Sequence, residues 1–153
     1  MMLELPIEYL SNYLNYMTKN SFLIYTDGGS RGNPGPSAIG AVVGEKEYGE
    51  SIGNTTNNIA EYSAVIFALK KAKQLLGGAK AEKTEVELRT DSQLLVNQLN
   101  GEFKIKDKGL QPLFIEIWNL KQDFKNVKFI HVVREKNKNA DRLVNKALDT
   151  LGL

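Results

Sequence analysis

The order of the hydrophobic patterns constrains this chain most: three strand-like runs follow one another, and only then does helix begin to alternate with strand. Phe22-Leu23-Ile24-Tyr25-Thr26, Ala38-Ile39-Gly40-Ala41-Val42-Val43 and the run from Lys46 to Ile52 have strand composition and length. A glycine- and proline-rich turn from Gly28 to Pro36 separates the first two, and Gly44-Glu45 joins the second to the third. Three such runs in succession predict an antiparallel meander. Helical spacing follows, with Glu61, Val65, Ala68, Leu69, Ala72 and Leu76 on one face of a helix from about Asn58 to Leu76, ended by Gly77-Gly78. Then come a strand at Glu85–Thr90, a short helix at Ser92–Leu99 stopped by Asn100-Gly101, a helix at about Leu110–Phe124, a strand at Val127–Val133 and a helix at Asn139–Leu151. Strand-helix-strand steps favour parallel neighbours. The expected fold class is therefore α/β, a five-stranded mixed sheet with its first three strands antiparallel, flanked by helices.

The 153 residues make one domain large enough for a core, expected over residues 21–153, behind an N-terminal extension of residues 1–20. Pro6 suits the first turn of a helix there, and Ile7, Leu10, Leu14 and Met17 form an apolar stripe expected to rest on the body. A composition of 42% hydrophobic and 25% charged residues excludes disorder. A net charge of +2 leaves nucleic-acid contacts to local basic patches, and zero cysteines exclude disulfides and thiolate metal sites. No run is apolar for long enough to span a membrane, and the first twenty residues lack the basic start of a secretory signal, so a cytoplasmic location is expected.

Four acids sit where predicted elements begin or end: Asp27, Glu61, Asp91 and Asp141. Each has an ordinary explanation. Asn58-x-x-Glu61 fits a capping box, Asp91 stands where a helix N-cap belongs, Asp141 lies in a first turn, and Asp27 precedes a Gly-Gly turn. Glu61, however, shares the apolar face of its helix, and Asp27 shares a strand face with Leu23 and Tyr25. Inward-facing carboxylates are costly, and a group of them raises its own pKa values. Hard divalent cations remove that conflict.

With Tyr25-Thr26-Asp27-Gly28-Gly29-Ser30, Thr56-Asn57-Asn58-x-x-Glu61, Thr90-Asp91-Ser92-Gln93 and Asn139-Ala140-Asp141-x-Leu143 in this order, the chain resembles ribonuclease H of type 1 from Phe22 to Leu148. The resemblance implies the ribonuclease H-like fold and an endonuclease that hydrolyses the RNA strand of RNA/DNA hybrids, leaving 5′-phosphate and 3′-hydroxyl ends. Asp27, Glu61, Asp91 and Asp141 match the family's metal ligands, for two Mg²⁺ or Mn²⁺ ions roughly 4 Å apart, with Asp27 bridging. Asn33, Asn57, Asn58 and Gln93 match minor-groove contacts, Gly28, Gly29 and Ser30 lie near the RNA, and Thr56 matches a phosphate-pocket residue for the DNA strand. Arg134 occupies the loop where other members place a histidine and resembles the arginine of some archaeal members; the only histidine, His131, falls inside a predicted strand. The segment Glu102–Gly109 is too short for the basic helix of longer relatives and carries only Lys104, Lys106 and Lys108. The chain thus resembles the compact archaeal form, some members of which also cut double-stranded RNA, and is expected to act as a monomer. Two alternatives stand beside it: a hybrid-binding module without catalysis, and a DNA-directed nuclease of the same fold.

Overall fold

The computed structural model describes residues 6–10 and 21–152. Most of the expected N-terminal helix, including Leu14 and Met17, lies outside the described residues; residues 7–10 are helical, with Ile7 and Leu10 exposed.

Five strands, β1 (Phe22–Ser30), β2 (Gly35–Val43), β3 (Lys46–Thr55), β4 (Glu85–Thr90) and β5 (Asn126–His131), form one sheet in the order β3-β2-β1-β4-β5. β1 pairs antiparallel with β2, and β2 with β3, while β1–β4 and β4–β5 are parallel. The expected mixed sheet is therefore present. Its first three strands run further than the hydrophobic pattern reached, because Gly28, Gly29 and Ser30 continue the ladder opposite Ile39, Ala38 and Ser37. Turn-forming composition yields there to cross-strand pairing.

The helices are α1 (Asn57–Leu76), α2 (Gly78–Ala81), α3 (Gln93–Leu99), α4 (Gln111–Lys121) and α5 (Lys138–Thr150), with a 3₁₀ turn at Arg134–Lys136. Gly77 ends α1 at φ 79°, as expected, but Gly78 opens the short α2 instead of a loop. The predicted final strand is shorter than its apolar run: β5 stops at His131, which is exposed at its end and not packed within it.

Two layers of helix cover opposite faces, and four glycines decide how closely. α1 packs over Ile24 and Leu88 through Val65, Ala68, Leu69 and Ala72, all buried, and Leu95, Leu99, Ile117 and Phe129 extend that core. Within it the Tyr62 hydroxyl donates to Gln98 Oε1 at 2.6 Å, tying α1 to α3. Neighbouring strand residues face opposite ways. A Cβ on Gly28 would overlap the Ala60 carbonyl of α1, whereas one on Gly29 would touch Val144 of α5. α5 lies along Gly40 and Gly49, which are cross-strand partners: a Cβ at Gly40 would overlap the Ala140 carbonyl, and one at Gly49 would come within 2.7 Å of the Leu143 carbonyl oxygen. Since Gly40 is itself opposite Asp27, α5 is seated on the row that leads to Asp27.

Candidate active site

The parallel register of β1 and β4 aligns the first two acids. Tyr25 is level with Arg89, so two residues further on Asp27 is level with Asp91, on the same face. The Arg89 guanidinium holds the two strands together just before that point, donating to the Tyr25 hydroxyl at 2.6 Å and to Glu87 at 2.7 Å. Glu61 arrives from the first turns of α1, which Gly28 lets pass directly over β1. The carboxylates of Asp27, Glu61 and Asp91 each offer an oxygen within 4.8 Å of the others. Asp141, in the first turn of α5, stands outside that set of three but close enough to Asp27 to raise its pKa.

Neither capping explanation holds. Thr56 caps α1, its Oγ1 accepting from the Ile59 amide at 3.3 Å, so Asn58 and Glu61 form no capping box. Ser92, not Asp91, caps α3, accepting from Leu95 at 3.2 Å. Asp91 is thereby left to the cleft. A hydroxyl was available within two residues in each case, and it took the helix end.

The electrostatics follow from this crowding. Asp27 is buried, and burial together with Asp91 and Asp141 pushes its pKa from 3.8 up to about 7. Burial, then Asp27 and Asp91, hold Glu61 well above the usual carboxylate range. The Gly28 amide, donating to both, opposes this only in part. Among the described residues, Glu61 Oε2 is one of three buried side-chain oxygens without a hydrogen-bond partner. A buried carboxylate oxygen left unpaired beside two further carboxylates is what a hard divalent cation would satisfy, so the residues fit a metal ion.

These groups line a cleft of about 450 Å³ that also takes in Gly28, Gly29, Ser30, Arg31, Asn57, Ser92, Arg134, Asp141 and Asn145. Arg134, on the 3₁₀ turn, is exposed at its edge. Asn33, Thr56, Asn58 and Gln93 do not line it. Asn33 and Asn57 instead build its wall: Asn33 Oδ1 accepts from the Asn57 amide at 3.0 Å, and Asn57 Oδ1 from the Ser30 amide at 2.9 Å. Gln93 lies exposed on α3, donating to Asn97 Oδ1 at 3.0 Å. Arg31, paired with Asp149 of α5 at 2.6 Å, and Asn145, whose amide donates to the Asp141 carbonyl at 3.1 Å, were not among the expected site residues. Their only sequence signal is the i, i+4 step from Asp141 to Asn145 and on to Asp149.

Acids gathered at the end of parallel β1 and β4, where the sheet changes from parallel to antiparallel pairing, define a class of protein with a carboxylate cluster, fit for a divalent ion, at the edge of a five-stranded mixed sheet. Comparison with known proteins narrows it. The family model described as "Reverse transcriptase-like" matches residues 25–147. A bifunctional protein of Mycobacterium tuberculosis is 40% identical over 83% of this chain and 35% of its own length, and ribonuclease HI of Halobacterium salinarum is 42% identical over 82% and 63%. This chain therefore spans about a third of the first relative and under two thirds of the second. The solved structure of LC11-RNase H1 in complex with an RNA/DNA hybrid is 42% identical over 87% of this chain and all of that one, with a TM-score of 0.82. The chain belongs to the ribonuclease H family, in its compact type 1 form. No helix among the described residues is long and apolar enough to cross a membrane.

Proposed function

We propose that this protein hydrolyses the RNA strand of RNA/DNA hybrids with the help of two divalent ions, Mg²⁺ or Mn²⁺. The observation that carries the reading is the unpaired, buried Glu61 oxygen facing Asp27 and Asp91 in an open cleft. A module that only bound nucleic acid would gain nothing from clustered negative charge against phosphates. The hybrid in complex with LC11-RNase H1 supports this substrate over a DNA duplex.

Asp27, Glu61, Asp91 and Asp141 would hold the ions. When bound, such ions supply the charge that activates water as a nucleophile and stabilises the leaving oxygen. The chain does the rest. Its four carboxylates hold their places through β1, β4, α1 and α5, so no reorganisation is needed as charge develops. Gly28, Gly29 and Ser30 offer the scissile strand a backbone surface without side-chain bulk. Asn33, Asn57, Asn58 and Gln93 would face the minor groove, where amides can donate to and accept from 2′-hydroxyls and base edges. Thr56, at the N-terminus of α1, would take a DNA-strand phosphate. The site is complete within one chain, so a monomer suffices.

The test is a labelled hybrid with and without Mg²⁺ or Mn²⁺, with wild type beside Asp91→Asn, and RNA and DNA homoduplexes in parallel. RNA-strand cutting that needs metal and falls by roughly a hundredfold or more in Asp91→Asn is expected. Intact hybrid in both metals would overturn the reading, and cutting of the RNA homoduplex would add double-stranded RNA as a second substrate.

Arg134 sits at the cleft edge as a permanent cation and would assist turnover by drawing on the phosphate after cleavage. Arg134→Ala is expected to lower kcat by roughly tenfold with metal affinity intact; unchanged turnover in steady-state assays would leave Arg134 a surface residue.

A further inference from the structure

Asn137 is the N-cap of α5, yet it does not cap it. An N-cap asparagine ordinarily accepts from an amide in the first turn through its side-chain oxygen. Here Oδ1 accepts nothing, and the side-chain amide instead donates to the Thr26 carbonyl at 2.9 Å, across 111 residues of sequence. The side chain is almost wholly buried, at 1% exposure. Thr26 Oγ1 is buried and without a partner as well. Leaving two buried oxygens unpaired and a helix end uncapped is costly.

What the bond achieves is geometric. Thr26 immediately precedes Asp27, and the Asn137 carbonyl accepts from the Asp141 amide at 3.2 Å. One residue, through its side-chain amide and its backbone carbonyl, therefore connects the backbone before Asp27 to the helical turn that carries Asp141. We propose that Asn137 is a positioning residue for the metal-binding carboxylates, clamping α5 to β1 so that Asp141 is held beside Asp27. The inference rests on the nuclease reading above. It involves no contact between Asn137 and substrate or metal. Asn100 provides the comparison: its side-chain amide also donates to a strand carbonyl, that of Phe129, at 3.3 Å, but it is not part of the cleft.

The test titrates Mn²⁺ calorimetrically into wild type, Asn137→Leu and Asn100→Ala without nucleic acid, at a temperature where each is folded. Leucine keeps the branched outline and removes the donor; if it prevents folding, Asn137→Ser is read in its place. Mn²⁺ affinity should weaken roughly 10- to 100-fold in the Asn137 variant and stay at the wild-type value in Asn100→Ala. With hybrid, KM should hold while kcat falls. Wild-type Mn²⁺ affinity in the Asn137 variant, with wild type binding Mn²⁺ and cutting hybrid normally, would overturn this inference alone. Failure of wild type to bind Mn²⁺ or cut hybrid would overturn it together with the nuclease reading.

Discussion

Asp27→Asn is expected to make the metal-free protein more stable at neutral and alkaline pH while removing the proposed nuclease activity. The native state holds the Asp27 proton more tightly than the unfolded chain does, since its carboxyl titrates at about 7 and not at 3.8. Stability from that proton is fully present below about pH 4 and is lost as pH rises through about 7. A shift of this size corresponds to about 4 kcal/mol at most. Glu61 shifts in the same direction and adds to the slope. Chemical denaturation in EDTA from pH 4 to 9 should therefore show wild type weakening steadily and Asp27→Asn weakening much less. Mg²⁺ should restore the wild type at high pH and do little for the variant. Hybrid cleavage should fall by roughly a hundredfold or more. Parallel stability profiles for the two proteins would show that Asp27 is not the strained group.

The second large effect is expected at Gly28, which carries no side-chain chemistry. Alanine there would place a Cβ against the Ala60 carbonyl and 2.5 Å from the Glu61 nitrogen. Both obstacles are backbone, so relief requires moving the start of α1 off β1. Overpacking of this kind costs about 3 kcal/mol or more, or roughly a 10 °C fall in Tm for a chain of this length. The displacement also carries Glu61 away from Asp27 and Asp91, so activity should fall further than the stability loss explains when both are measured well below Tm. A Tm within about 2 °C of wild type would mean that α1 does not rest on Gly28. Gly53, with open space around it, offers a contrasting site where crowding plays no part.

The two effects bear on how much of the protein could be read from its residues. The order of elements and the mixed character of the sheet were legible because hydrophobic runs, turns and helical spacing are local properties, and the crossover rules leave few ways to connect them. The candidate acids were legible for a related reason, since each stands at the boundary of a local pattern. Boundaries were less so. Gly28-Gly29-Ser30 has turn composition, and only β2, arriving from Ile39, Ala38 and Ser37, makes it strand. The capping explanations offered for Asp91 and Asn58 do not hold because a hydroxyl within two residues competes for each helix end, and composition does not say which residue the tertiary structure needs elsewhere.

What the sequence by itself determined was the kind of fold, its element order and the identity of the four acids. Tertiary structure alone decided their company. The register of β1 against β4 set Asp27 beside Asp91, the glycines under α1 and α5 set how near Glu61 and Asp141 could come, and Asn137 was drawn from its cap to a carbonyl 111 residues away. Burial and mutual repulsion, which push Asp27 to about 7, exist only once these segments meet, because desolvation and Coulomb energy depend on distance in space and not along the chain.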